Sequence, residues 1–200
     1  MGPRAHTLRG VTLVATAAFA AAALATATTG CQHRPTTFVH PQADFSLIRR
    51  VAVLPLENLT IDLTAGEKVR QLLIIQLLSS GSVDVVDVGE VSRGLRAAAV
   101  VSPTAPGTEE AKKLARELNV EALITGTVQE FSQSRTAGAP STSVSLVFRM
   151  IETDTGQVIW SSSISQSGVG AMARLFGVGG ESATERAREL IADCLKTLIR

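Results

Sequence analysis

The hydrophobic period changes near residue 122, and that change limits the folds open to this chain more than any other feature. Ahead of it apolar residues recur at helical spacing; behind it they alternate. Val144, Leu146, Phe148 and Met150 alternate with more polar neighbours, which sets one face of a strand against a core. A strand over residues 122–131 is predicted before it, joined to residues 143–151 by a polar loop, 132–142. Thr153-Asp154-Thr155-Gly156 then reads as a hairpin turn into a third strand, residues 157–163, which holds the one Trp, Trp160. Ser182 and Glu185 have capping-box spacing. After them Ala187, Leu190, Ile191, Cys194, Leu195 and Leu198 form a full apolar stripe at helical spacing.

Upstream, Val51-Ala52-Val53-Leu54 is a short apolar run stopped by Pro55, suited to a strand buried on both faces. Thr64 and Glu67 repeat the capping-box spacing ahead of a helix over residues 65–80, and Gly81 ends it. A short strand over 83–88 carries Asp84 and Asp87. A helix over 90–99, a Pro/Gly loop and a second helix over 109–118 follow. Thr108 is its expected cap, Glu109 and Lys113 its exposed pair, and Asn119 its left-handed stop. The order β-α-β-α-α-β-β-β-α predicts an α/β fold: one domain, residues 48–200, with a mixed sheet and helices packed on it.

The first thirty residues read differently. Arg4 and Arg9 precede an uncharged apolar run from Val11 to Ala27, and Thr28-Thr29-Gly30 leads into Cys31. A basic segment, an apolar segment and small residues before a cleavage point make an export signal. The Cys resembles the acylated cysteine of bacterial lipoproteins, with Thr28 standing where Leu is usual. Residues 1–30 are therefore expected to be a lipoprotein signal peptide. Cys31 is the expected lipidation site and membrane attachment, and residues 31–47 a flexible tether. Gln32, by the sorting rule that this resemblance implies, directs the chain to the outer membrane, on its periplasmic face. From Cys31 to Ile48 such a tether spans at most ~60 Å extended, and as a coil typically ~23 Å.

Composition narrows the chemistry. Of 19 Lys and Arg, Arg4 and Arg9 leave with the signal, so 17 remain against 18 Asp and Glu. That balance supplies no basic face for nucleic acid. All three His, at 6, 33 and 40, precede the domain, so no His-based triad or His-ligated metal site is expected within it. Asp84, Asp87, Glu57 and Asp154 lie near strand ends or turns, but no two have a spacing that argues for acid–base work. Cys194 falls in the last apolar stripe and reads as a core thiol. No catalytic residue, metal or cofactor is expected. Gly168-Val169-Gly170-Ala171-Met172-Ala173 fits a dinucleotide fingerprint only in spacing, because the following helix leads to no further strand. Residues 168–180 combine five Gly with Val169, Met172, Leu175, Phe176 and Val178. These five apolar residues are the candidates for contact with a partner or a membrane surface.

Four pieces in order carry a resemblance. They are Val51-Ala52-Val53-Leu54-Pro55-Leu56-Glu57-Asn58-Leu59-Thr60, Leu77-Leu78-Ser79-Ser80-Gly81, Leu118-Asn119-Val120-Glu121-Ala122-Leu123-Ile124-Thr125-Gly126-Thr127-Val128, and Ile151-Glu152-Thr153-Asp154-Thr155-Gly156-Gln157-Val158-Ile159-Trp160-Ser161. Together, after a lipobox, they resemble the CsgG/LpoB-type superfamily of envelope lipoproteins over residues 48–165. The resemblance implies an α/β domain without enzyme activity that works through protein contacts. The partner it implies is another envelope protein, a peptidoglycan synthase among them, or further copies of the chain in a secretion complex of the curli-channel type. Residues 132–142 are short and polar and 165–180 do not alternate, which disfavours membrane-threading hairpins. An adaptor or activator is the leading expectation, and a ring-forming secretion subunit the alternative.

Overall fold

The computed structural model describes residues 34–136, 139–169 and 181–198. Its elements run β1 (Thr36–Val39), a 3-10 turn (Phe45–Leu47), β2 (Arg50–Val53), β3 (Glu57–Asn58), α1 (Ala65–Ser80), β4 (Asp84–Val85), α2 (Val88–Ala97), α3 (Thr108–Leu118), β5 (Ala122–Thr136), β6 (Ala139–Glu152), β7 (Val158–Val169) and α4 (Ala183–Leu195). The seven strands form one sheet in the order β1-β7-β6-β5-β2-β4, with β3 also on β5. β2 is parallel to β4 and β5, while β5, β6, β7 and β1 pair antiparallel in turn. The expected α/β mixed sheet is the one found, with β1 and β3 added.

Two helix layers explain the two hydrophobic periods. α1 and α4 cover one face, where Val51, Val53, Leu73, Leu77, Ile124, Phe148, Trp160, Leu190 and Ile191 form a single buried cluster. α2 and α3 cover only the β4-β2-β5 part of the other face, packing Val91, Leu95, Leu114 and Leu118 on Ala52, Leu54 and Leu123. β2 is thus buried on both sides, which is why its sequence is apolar without a break. β6 and β7 are covered on one side, hence their alternation. Full burial of each large apolar side chain here contributes about 1.5–3 kcal/mol.

Arg70 of α1 is the exception inside the core, only 4% exposed. Its Nε and Nη2 donate to the Val53 carbonyl at 3.1 and 2.8 Å. The Val51 carbonyl on the same side of β2 accepts from the Val86 amide, but β4 ends at Val85. Arg70 supplies the donor that a longer β4 would have brought.

Several local expectations are corrected. Residues 31–47 are not all tether: Thr36–Val39 pairs antiparallel with Ser163 to Trp160 and closes the outer edge of β7. A four-residue edge strand carries too little periodicity to be seen in sequence. The polar loop 132–142 is instead the outer part of a long hairpin, with Gln133 opposite Thr142 and Thr136 opposite Ala139. Its strands are polar because they run beyond the helices that bury the rest of the sheet. β7 likewise extends to take in Gly168 and Val169. Thr64 makes no side-chain cap for α1; its hydroxyl donates to Asp62 Oδ1. Thr108 is inside its helix, with Gly107 at the N-cap donating its amide to the Glu110 carboxylate. Glu109 pairs with Lys112, at 4.0 Å, rather than with Lys113. Gly81 and Asn119 do end their helices in left-handed geometry. Ser182 Oγ accepts the Glu185 amide as a cap should.

Candidate functional surfaces at the two ends of the domain

Between β3 and α1 the chain reverses the usual arrangement of polar and apolar side chains. Asn58, Thr60 and Asp62 are half-buried and bond to one another and to the exposed Thr64. Asn58 Oδ1 accepts from the Thr60 amide (3.1 Å) and hydroxyl (2.9 Å), and Asn58 Nδ2 donates to the Asp62 carbonyl (2.8 Å). Asp62 Oδ1 accepts from the Thr64 amide at 2.9 Å and hydroxyl at 2.6 Å, and Asp62 Oδ2 receives Lys68 Nζ at 2.9 Å. The Thr64 hydroxyl, then Lys68 and the Thr64 amide, hold the Asp62 carboxyl down to about 2. The alternate residues point to solvent, with Leu59 62%, Ile61 94% and Leu63 92% exposed. A loop that exposes three large aliphatic side chains while satisfying its polar groups internally is built to present an apolar surface.

The loop lies at the end of the sheet toward which β2 and β5 run. The Leu59 amide donates to the Val128 carbonyl. A groove of about 440 Å³ separates Ile61 and Asp62 from Phe131, Ser132, Gln133 and the start of α4 at Ser182–Thr184. Lys68 Nζ sits 5.8 Å from the Phe131 ring centre, within cation–π range. Val169, the last residue of β7 and one of the five sequence candidates, is half-buried at this same end, opposite Ser141. Cys31, Met172, Leu175, Phe176 and Val178 lie outside the described residues.

The opposite end carries a second apolar surface. The 3-10 turn, the end of α1 and the residues after α4 enclose a groove of about 270 Å³ lined by Phe45, Ile48, Leu77, Val83, Met150 and Leu198. Leu47 (68% exposed) and Leu78 (55%) stand out on the elements that form it. Sixteen residues of α1 separate the two ends by roughly 24 Å, at 1.5 Å per residue.

The remaining sequence candidates take structural roles. Asp87 caps α2 by accepting the Gly89 amide at 2.8 Å, and Glu57 accepts the Thr127 hydroxyl at 3.0 Å. Asp154 belongs to a shallow polar depression with Lys112, Arg116 and Glu121. Cys194 is buried in the α4 stripe, and burial pushes its thiol up to about 11, which keeps it protonated and inert. Among the described residues no three His, Cys, Asp or Glu gather as a metal site, and no helix is long and apolar enough to cross a membrane. The outward loop 59–63 was not singled out from the sequence, although its alternation, Asn-Leu-Thr-Ile-Asp-Leu-Thr, is visible there.

The fold defined by this sheet and its helices is shared with solved bacterial proteins, a lipoprotein among them. The PelC dodecamer from Paraburkholderia phytofirmans superposes with a TM-score of 0.57 at 18% identity, over 84% of this chain and 97% of that one. Lipoprotein GNA1162 from Neisseria meningitidis gives 0.55 at 17% identity, over 76% and 98%. The LpoB C-terminal domain from Escherichia coli aligns over 60% of this chain and 83% of its own at 19% identity, with a TM-score of 0.45. No family model and no curated protein matches the sequence. At these identities the likeness establishes the fold, and it is the α/β fold that the sequence resemblance implied.

Proposed function

We propose that this chain is an outer-membrane lipoprotein, acylated at Cys31 and facing the periplasm, that acts as a non-enzymatic adaptor or activator of another envelope protein. The observation that carries this reading is the groove between Phe45, Leu77 and Leu198, with Leu47 and Leu78 exposed beside it, at the end of the domain away from the β1 entry point. An apolar groove beside exposed Leu side chains supports a protein-contact role. The fold shared with lipoprotein GNA1162 supports the compartment. So does the sequence of the first 31 residues.

A second reading, in which copies of the chain form a ring, is favoured by one fact: PelC was solved as a dodecamer. The native mass of the full-length, detergent-extracted protein separates the two. A monomer or dimer is expected for an adaptor, and a closed assembly of many copies would transfer the reading to the ring. Cys31→Ser is expected to abolish fractionation with the outer membrane; unchanged fractionation would remove the lipoprotein premise.

A further inference from the structure

We propose that the ridge of Leu59, Ile61 and Leu63, with the groove beside it, is the contact surface for a second copy of this chain, paired about a two-fold axis. Ridge and groove adjoin on one surface. Ile61 and Asp62 form one wall of the groove, and Phe131, Ser132 and Gln133 of β5 with Ser182–Thr184 of α4 form the other, enclosing about 440 Å³. A surface that sets a ridge beside a groove is complementary to itself. A two-fold axis lays each copy's ridge in the other's groove, so one patch supplies both halves of the contact.

Nothing on the patch opposes an identical one. The outward side chains are aliphatic, and the groove is lined by Phe131, Ala183 and uncharged hydroxyl and amide groups. The one carboxylate among the lining residues, Asp62, is held by Lys68 at 2.9 Å. The unpaired like charges that would penalise self-pairing are therefore absent from the lining. The area is also sufficient. The three aliphatic side chains amount to roughly 400 Å², as large as the apolar patch a typical monomer leaves bare. Two ridges remove roughly 800 Å² from water, and the groove walls they cover carry the total toward the ~1,200 Å² at which specific interfaces begin. The ridge is fixed before contact, because Asn58 and Asp62 bond the loop to itself, so little chain entropy is lost on pairing.

This pairing needs no acyl anchor. It also leaves the groove beside Leu47 and Leu78 open on both copies, because α1 separates the two ends.

The test is made on the full-length protein in isolated membranes. Ile61→Cys treated with a short bismaleimide is expected to link chains in pairs. Leu47→Cys, at the far end, is expected to link none, and the wild type is the blank for Cys31 and buried Cys194. Adding Leu63→Asp to Ile61→Cys should reduce the linked pair by about tenfold, because a carboxylate is then buried without a partner. Leu63 is 92% exposed, so the urea midpoint should not move. No linked pair at Ile61, or one that Leu63→Asp leaves undiminished, would overturn the proposal and leave a different protein, or another segment of this chain, as what covers the patch. A native mass of many copies would overturn the two-fold pairing in favour of a ring.

Discussion

Replacing Asn58 with Ala removes three side-chain hydrogen bonds at once, those to the Thr60 amide, the Thr60 hydroxyl and the Asp62 carbonyl. A hydrogen bond of this kind contributes about 0.5–1.5 kcal/mol net. Water reaches this half-buried loop, so the lower part of that range applies, and the three together are worth about 2 kcal/mol. The Thr64 amide is the informative reporter, because its acceptor is Asp62 Oδ1 rather than Asn58. If residues 58–64 open as one unit, hydrogen exchange at Thr64 should become about 30-fold faster in N58A, since each 1.4 kcal/mol is a factor of ten. The urea unfolding free energy should fall by about the same 2 kcal/mol, because the unfolded chain lacks these bonds as well, while Phe131, Val128 and Leu73 keep their packing. Faster exchange confined to Thr60, with Thr64 unchanged, would refute the view that the loop is a single hydrogen-bonded device.

Two other consequences can be measured on the same protein. Arg70→Met keeps most of the stem but leaves the buried Val53 carbonyl without its donors, at an expected cost of about 2 kcal/mol in urea unfolding; equal or greater stability would show that burying the guanidinium outweighs those bonds. The Asp62 carboxyl is held below its ordinary 3.8, at about 2, so its contribution is complete above 3.8 and disappears as pH falls through 2; the Thr64 amide shift should titrate with a midpoint near 2, and a midpoint near 3.8 would contradict the bonding described.

What the sequence made legible was whatever a full period could encode. α1 and α4 carry stripes several turns long, and β6 alternates over eight residues because helices bury one of its faces. β1 was lost because four residues at a sheet edge, Thr-Thr-Phe-Val, hold no repeat and follow a Pro. The outer half of the β5–β6 hairpin was lost because polarity, which usually marks a loop, here marks strands exposed along Ser132 to Arg135, with Thr142 buried on a hydrogen bond to the Glu181 carbonyl. Arg70 was hidden because nothing local reveals that β4 stops two residues short of Val53. The loop 59–63 shows a different limit. Its alternation is plain, but alternation distinguishes two faces without saying which is inside. Only the hydrogen bonds of Asn58 and Asp62 reveal that the polar set is the inner one. The groove at the far end gathers Phe45, Leu77, Val83, Met150 and Leu198 from five separate stretches, a proximity no linear pattern contains.

The most direct test of the central claim is a photo-crosslinking amino acid placed at Leu78, beside the far groove, in living cells. An adaptor held on the membrane should give, from Leu78, an adduct with a second envelope protein, identified by mass spectrometry. Leu78 adducts to further copies of this chain alone, or no adduct from Leu78 at all, would contradict it.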